Sequence, residues 1–300
     1  MKKVFKWIGI VLGSLIGLLL VTVAVLYFMG SARLNKTYDI PPDNIAIPTD
    51  AASLELGKHR VETMCLGCHT EDLGGMVGWF VSEQIGYVDS SNLTSGEGGI
   101  ASTYTDEDFV RAIRHGVNKE GKPTFMIAVT ATYHINDRDL GAIIAYLRTV
   151  PPVDRQTKPK YFSPFAKVLL AAGAFGQLPA EAVDHTTRPP APEPGVTVEF
   201  GKYLIDINDC RVCHGAELNG GPFPDPTIQL ITPNLTPGGE LSAWSEEDFI
   251  QTLRTGVTPG GHQLSEYMPW QEKSRLTDDE LKAMYLYLQS LPKLEQATGQ

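Results

Sequence analysis

The chain has 300 residues, of which 42% are hydrophobic and 20% charged, a composition typical of folded proteins that excludes disorder throughout. The length predicts about two domains. A formal net charge of −10 argues against a nucleic-acid partner, because so acidic a chain lacks the basic groove that neutralises phosphates. The acidic surface favours a basic docking partner, with a role in solubility alone as the alternative.

Residues 1–33 form a candidate transmembrane anchor. Three lysines precede an uncharged run from Trp7 to Ala32. As a helix this run would measure about 39 Å, more than the roughly 30 Å of a bilayer's hydrocarbon core. The lysines predict a cytoplasmic N-terminus, with everything after Arg33 outside. A cleaved signal peptide is the alternative, since residues 30–32 are small, but the apolar run exceeds the usual length of about 7–15 residues.

Residues 34–48 are polar and contain prolines, which predicts an extended tether between the anchor and the first domain. A first helix is predicted to begin near Asp50 and to run to about Met64, directly before the first cysteine motif.

Two copies of one pentapeptide dominate the sequence: CLGCH begins at residue 65 and CRVCH at residue 210. Cys-x-x-Cys-His is the attachment signature of a c-type haem. Two thiols bond to the vinyl groups of one porphyrin, and the histidine binds its iron from one face. The residues predicted in these roles are Cys65, Cys68, His69, Cys210, Cys213 and His214.

Zinc binding and a thioredoxin-like dithiol are the alternatives to haem attachment. The two cysteine pairs lie 145 residues apart, whereas pairs that share a zinc ion are usually separated by about 15–20 residues. Neither alternative requires a histidine after each pair. The sequence therefore predicts two covalently bound haem c groups.

The segments around the two motifs repeat in the same order. Helix N-caps followed by acidic first turns are predicted at Thr105 and Ser245, and each half ends in an amphipathic helix. We predict two copies of one small helical domain, over residues 49–150 and 195–300.

Residues 151–194 read as a linker that contains nine prolines. One apolar stretch within it, residues 165–175, is too short to span a bilayer. It is predicted to form a helix that packs on the protein, with a partner contact as the alternative. Residues 189–194 read as a stiff, extended spacer.

The second axial ligand decides what a haem can do, because methionine closes the iron and raises its potential, whereas an open side suits catalysis. In the second domain Met268 lies 54 residues after His214, in a loop that contains proline. Met284 falls on the apolar stripe of the last helix and is predicted to be core. We expect Met268 to be the ligand.

In the first domain Met126 lies 57 residues after His69, nearly the same offset, although no proline follows it. His115 and His134 are alternatives, since imidazole is also a good iron ligand. Met126 is the predicted ligand of the first haem.

Both halves resemble class I cytochrome c domains, with the haem motif early and the methionine late. The segments NLTP at 234–237, WSEEDF at 244–249 and LRTGV at 253–257 are similar to those of the cytochrome c subunits of bacterial periplasmic alcohol, aldehyde and gluconate dehydrogenases. The resemblance implies a mostly α fold, with an N-terminal transmembrane helix and two class I cytochrome c domains in tandem. It also implies His69/Met126 and His214/Met268 ligation. Those subunits commonly carry three haems, whereas this chain has two motifs.

The functional expectation is a periplasmic electron carrier of the bacterial inner membrane, without catalytic activity of its own. It would pass single electrons between a dehydrogenase or another donor and a respiratory acceptor such as a terminal oxidase or a soluble cytochrome. One alternative is a dihaem peroxidase, in which the distal site of one haem opens. Another is a haem-based sensor or a structural subunit.

Overall fold

The computed structural model describes residues 2–41, 43–125, 128–188, 191–225 and 228–298. Its α-helices are α1 (Lys2–Asn35), α2 (Ala51–Met64), α3 (Leu66–His69), α4 (Asp106–His115), α5 (Val129–Thr132), α6 (Asp137–Leu147), α7 (Pro164–Ala171), α8 (Pro179–Ala182), α9 (Val198–Ile207), α10 (Cys210–His214), α11 (Glu246–Thr255), α12 (Trp270–Lys273) and α13 (Asp278–Ser290). A 3₁₀ helix spans Glu240–Ala243. The strands are β1 (Phe80–Ser82), β2 (Gly86–Val88), β3 (Tyr161–Phe162), β4 (Gly221–Pro222) and β5 (Ile231–Thr232).

Two similar helical units follow α1: the first unit comprises α2 to α6 and the second comprises α9 to α13. In each unit the first helix crosses the last at a glycine. A Cβ atom added at Gly57 would lie 2.0 Å from the carbonyl oxygen of Ala142, and one added at Gly201 would lie 1.9 Å from that of Ala283. The absence of a side chain thus lets the two backbones touch.

The helix boundaries follow from local sequence. Thr105 and Ser245 begin α4 and α11 with reciprocal capping boxes, in which the side chain three residues later bonds back to the cap. Thr277 begins α13 in the same way. Both α4 and α11 end at a glycine in the left-handed region, Gly116 at φ 65° and Gly256 at φ 72°. The helix starts predicted at Thr105 and Ser245 are confirmed.

The two units share one hydrophobic core. Buried side chains of the first unit, such as Val61 and Leu140, belong to the same cluster as Leu204 and Leu281 of the second. Each side chain in this cluster leaves water on folding, at about 25 cal/mol per Å² of apolar surface. The two units are therefore held together partly by apolar packing.

Short strands lie in the segments that connect the helices. β1, β2 and β3 form an antiparallel sheet, with Val81 opposite Tyr87 and Tyr87 opposite Tyr161. β4 and β5 pair as a second, smaller sheet. The strands have two or three residues each, too few for a periodic pattern, and the sequence did not predict them. The expected mostly helical fold is confirmed.

The segments expected as tether and linker pack on the first unit. Tyr38 donates its backbone N–H to the carbonyl of Gly121, at 2.8 Å, and the side chain of Ile40 is buried. Asp43 accepts from Arg114 of α4 at 2.8 Å and from Arg188 at the end of the linker. Residues 36–41 and 153–188 are thus packed on the first unit and do not form free spacers on either side of it.

Helix α7 lies along the last turns of α1. Its inner side chains, Ala166 and Leu170, line an apolar cavity of about 400 Å³ together with Leu34, Phe80 and Phe162. The linker helix therefore packs on the protein, as predicted.

Candidate haem sites

Each pentapeptide forms one helical turn that directly follows the first helix of its unit. Cys65 caps α2 by donating its N–H to Val61, at 2.8 Å, and His69 donates its N–H to the carbonyl of Cys65, at 2.9 Å. In the second copy Asp209, at φ 62°, breaks α9 before α10 begins. The helical turn keeps the two cysteines and the histidine of each motif within reach of one ligand.

Both motif histidines are oriented in the same way. His69 Nδ1 lies 2.8 Å from the carbonyl oxygen of Ser91, and His214 Nδ1 lies 2.9 Å from that of Pro233. A carbonyl only accepts, so Nδ1 carries the proton and the lone pair of Nε2 is available to a metal. Burial lowers the pKa of both imidazoles, and these hydrogen bonds oppose the shift without outweighing it. A neutral ring held through Nδ1 is what a haem iron requires of its proximal histidine.

The cysteines fit covalent haem attachment. All four lie among the described residues, and none forms a disulfide. Burial raises the pKa of the Cys65 thiol to about 12 and that of the Cys210 thiol to about 11, which disfavours the thiolate form that a zinc site or a redox dithiol uses. Across the described part of the chain no three Cys, His, Asp or Glu side chains converge as a metal site, so the zinc alternative has no support there.

Met268 lies in the loop before α12 and packs, half-buried, against the core. Its backbone is held on both sides: the N–H donates to Ser265 at 3.0 Å, and the carbonyl accepts from Trp270 at 2.7 Å. Met284 is buried on α13, in agreement with its predicted core role. The position of Met268 is compatible with ligation, which stays a prediction.

The predicted ligand Met126 lies outside the described residues, which resume at Ala128. His115, an alternative ligand, is fully buried at the end of α4. Its Nδ1 lies 2.9 Å from Nδ1 of His185, and its Nε2 faces Asp43 at 3.5 Å. Both ring nitrogens of His115 thus face partners within the protein. His134, the other alternative, lies in the turn after α5; burial lowers its pKa, and the charge of Asp206 in the second unit opposes that shift.

One buried lysine connects the two motifs. Lys273 of α12 donates from Nζ to the carbonyl of Thr63 at 2.8 Å and to Oδ1 of Asn208 at 3.0 Å. Each acceptor lies two residues before the first cysteine of a motif, Cys65 or Cys210. Burial lowers the pKa of Lys273, and the nearby Cys210 and Cys65 oppose that shift. The two attachment sites therefore meet at one ammonium group.

A second polar cluster joins the units beside the shared core. Arg60 donates to Asp139 at 2.7 Å and to Glu280 at 2.6 Å, and Glu280 also pairs with His59 at 2.7 Å. Tyr203 of the second unit donates its hydroxyl to Asp139 at 3.0 Å. Because Arg60, Asp139 and Glu280 are all buried, their charges depend on one another for compensation.

Sequence reasoning missed the roles of Lys273 and Arg60. Glu280, the third member of these clusters, also completes the capping box at the start of α13. No periodicity marks any of the three, since their partners in these clusters lie between 65 and 221 residues away. For Arg60 and Lys273 the available signal was an ionisable residue five positions from Cys65 or from Met268.

Comparisons with known proteins match both units. A family model described as cytochrome c matches residues 198–292, and one described as cytochrome c oxidase, cbb3-type, subunit III matches residues 52–147. The fructose dehydrogenase cytochrome subunit of Gluconobacter japonicus is 28% identical over 252 residues, which cover 76% of this chain and 50% of that protein. A dihaem c-type cytochrome of Cereibacter sphaeroides is 29% identical, covering 64% and 67%.

The gluconate 2-dehydrogenase cytochrome c subunit of Pantoea cypripedii is 28% identical over 258 residues, which cover 76% of this chain and 56% of that subunit. The chain thus spans about half the length of the two dehydrogenase subunits, each of which contains further sequence. The resemblance noted from the motifs, and the expected pair of helical haem domains in tandem, are both confirmed by these matches.

Proposed function

Because the chain belongs to the c-type cytochromes and carries two covalently bound haem c groups, we propose that it passes single electrons between a dehydrogenase and a respiratory acceptor. The relatives are named as cytochrome subunits of fructose and gluconate dehydrogenases, which supports a dehydrogenase as donor. Each haem supplies a one-electron iron couple. The polypeptide holds the two groups, excludes water and presents a docking face.

One observation carries the proposal: the attachment sites of the two domains meet at Lys273. Electron transfer needs cofactors at a fixed, short separation, and a buried lysine bound both to Thr63 of α2 and to Asn208 at the end of α9 fixes the relative position of the two helices that lead into the motifs. In our proposal Cys65 and Cys68 bind the first haem, with His69 and Met126 as axial ligands. Cys210 and Cys213 bind the second haem, with His214 and Met268 as axial ligands.

We further propose that α1 anchors the protein in the inner membrane, with both haem domains on the periplasmic side. Helix α1 is long and apolar enough to cross a bilayer, and its side chains from Val4 to Val25 are exposed rather than packed on the protein. The lysines at its start favour a cytoplasmic N-terminus.

The test is a redox titration of the detergent-extracted full chain, followed by identification of proteins that co-purify with it. Two reversible one-electron transitions and a co-purifying dehydrogenase are expected. A haemochrome assay that finds fewer than two haems per chain, or haems that cannot be reversibly reduced, would refute the proposal. The same preparation tests the peroxidase alternative, which predicts turnover of hydrogen peroxide.

A further inference from the structure

The outer face of helix α7 is apolar and partly open to solvent. Phe165, Val168 and Leu169 share this face at helical spacing; Phe165 is 54% exposed, and Val168 and Leu169 are half-buried beside it. The opposite face, Ala166 and Leu170, is buried against the protein. An eight-residue helix that is apolar on both faces needs a second apolar surface.

Helix α7 also has a defined level along α1. A Cβ atom at Gly30 would lie 1.9 Å from the carbonyl oxygen of Lys167, so the two backbones touch there. Three residues further along both helices, Arg33 Nη1 donates to the carbonyl of Leu170 at 2.8 Å. From the first contact to the second, the position moves three residues towards the C-terminus in both helices. Helices α1 and α7 therefore run in the same direction. Phe165, two residues before Lys167, is therefore level with about Phe28.

The level of Phe28 corresponds to the boundary of a bilayer. The uncharged run from Trp7 to Ala32 exceeds a hydrocarbon core by about 9 Å, or about six residues of helix. Counted from Trp7, about 20 residues of helix cross the hydrocarbon core and end at residue 26. Residues 27–32 then lie at the headgroup boundary, where aromatic rings are favoured. The one charged side chain of α7, Lys167, folds back over the ring of Tyr27 at 5.2 Å and leaves the outer face without charge.

We propose that α7 is an interfacial membrane helix, which rests its outer face, Phe165, Val168 and Leu169, on the lipid beside α1. This inference rests on the membrane anchor proposed above, because α1 sets the level of α7. Its consequence is a fixed orientation: the first haem domain is held on the bilayer surface at α1 and at α7, so it cannot swing freely on a tether.

Photo-crosslinking of the full chain in phosphatidylethanolamine/phosphatidylglycerol vesicles tests the proposal. The photoreactive residue p-benzoylphenylalanine replaces Phe165, and, in separate variants, Phe28 of α1 or Ile231 of the second domain. Ile231 is the matched control, since it is apolar, 61% exposed and on β5, which pairs with β4 in the second unit. Lipid adducts are identified by mass spectrometry of the labelled peptides, and haem content verifies that each variant folds.

The expected result is lipid adducts at positions 28 and 165 and about tenfold fewer at position 231. Adducts at position 28 with only protein adducts, or none, at position 165 would overturn the interfacial helix and leave the anchor intact. A lack of adducts at both positions, with protein that fails to float with the vesicles, would overturn the anchor and the interfacial helix together.

Discussion

At the scale of single residues, Met268 and Met126 are the proposed ligands that would occupy the sixth coordination position of each iron. We expect Met268→Ala to remove about half of the near-infrared sulfur-to-iron absorption of the oxidised protein, since one of two methionine ligands is lost. Met126→Ala should remove the other half. Met284→Leu is the control, because Met284 is a core residue of α13. An unchanged band in Met268→Ala would contradict the assignment.

Lys273 is expected to influence both haems. A positive charge near a haem favours the reduced form, so Lys273→Met should lower both reduction potentials. The shift should be tens of millivolts, given about 1–2 kcal/mol between charges roughly 8–10 Å apart in a protein. Spectroelectrochemical titration measures it.

Two control variants accompany Lys273→Met. Lys273→Arg keeps the charge and should retain the potentials. Lys282→Met removes a partly exposed lysine of α13, whose nearest carboxylate is 3.7 Å away, and should also leave them unchanged. If only one potential fell in Lys273→Met, the lysine would not be shared by the two sites.

Glu280 makes the stability dependent on pH. Its pKa is about 2: burial alone would raise it, but the hydrogen bond from His59 and the charge of Arg60 outweigh burial. In the unfolded chain this carboxyl titrates near 4.5. The lowered pKa of Glu280 thus contributes on the order of 3 kcal/mol to the free energy of unfolding. This contribution is fully present above about pH 4.5 and is lost as the pH falls towards 2.

Denaturant unfolding of the holoprotein at pH 7 and pH 3 measures this contribution. The native chain should lose more free energy of unfolding between the two pH values than Glu280→Gln does, because the glutamine has no proton to take up. Equal losses in the two proteins would show that Glu280 does not contribute.

At the scale of elements, one glycine in each domain lets the first and last helices of that domain pack in direct contact. Gly57→Ala or Gly201→Ala would push α2 from α6, or α9 from α13, since the added methyl meets a backbone oxygen that cannot rotate away. We expect a loss of about 1–3 kcal/mol in the free energy of unfolding, even though alanine is the better helix former by about 1 kcal/mol.

The matched control for the glycine substitutions is Gly260→Ala. A Cβ atom there meets only Thr258 Oγ1, at 3.9 Å. Thermal denaturation of the three variants should rank Gly260→Ala as the most stable, and no loss in Gly57→Ala would mean that α2 and α6 can separate without cost.

Elements were predictable where their causes are local. The start of α2 next to Asp50 and the N-caps at Thr105 and Ser245 follow from residues a few positions apart. The role of Arg114 was not predictable from sequence: its side chain is buried and bound to Asp43 and Asp137. Its partners lie far away in the chain, and no local pattern identifies them.

At the scale of the whole molecule, the contact between the two domains was not predictable. Arg60 and Glu280 are 220 residues apart, and each alone reads as an ordinary charged residue on a helix. The motifs nevertheless predicted both haems, because covalent attachment requires its residues within one helical turn.

The shared core leads to a prediction for a chain cut within residues 190–195 by an inserted protease site. The two halves should remain associated at pH 7, because the apolar cluster and the Arg60–Glu280 pair do not depend on a continuous backbone. Size-exclusion chromatography in detergent should give one peak that contains both haems. Two peaks at pH 7 would mean that the linker alone keeps the domains together.

The ion pair between Arg188 and Asp43 has a consequence for how far the second domain can travel. Since the chain is secured as far as residue 188 and α9 is capped by Thr197, only eight residues lie between these points. Fully stretched they reach about 28 Å. If the second domain dissociates from the first, this short linker holds it at a millimolar effective concentration. Rebinding is then fast, and the separated state of the two domains is short-lived.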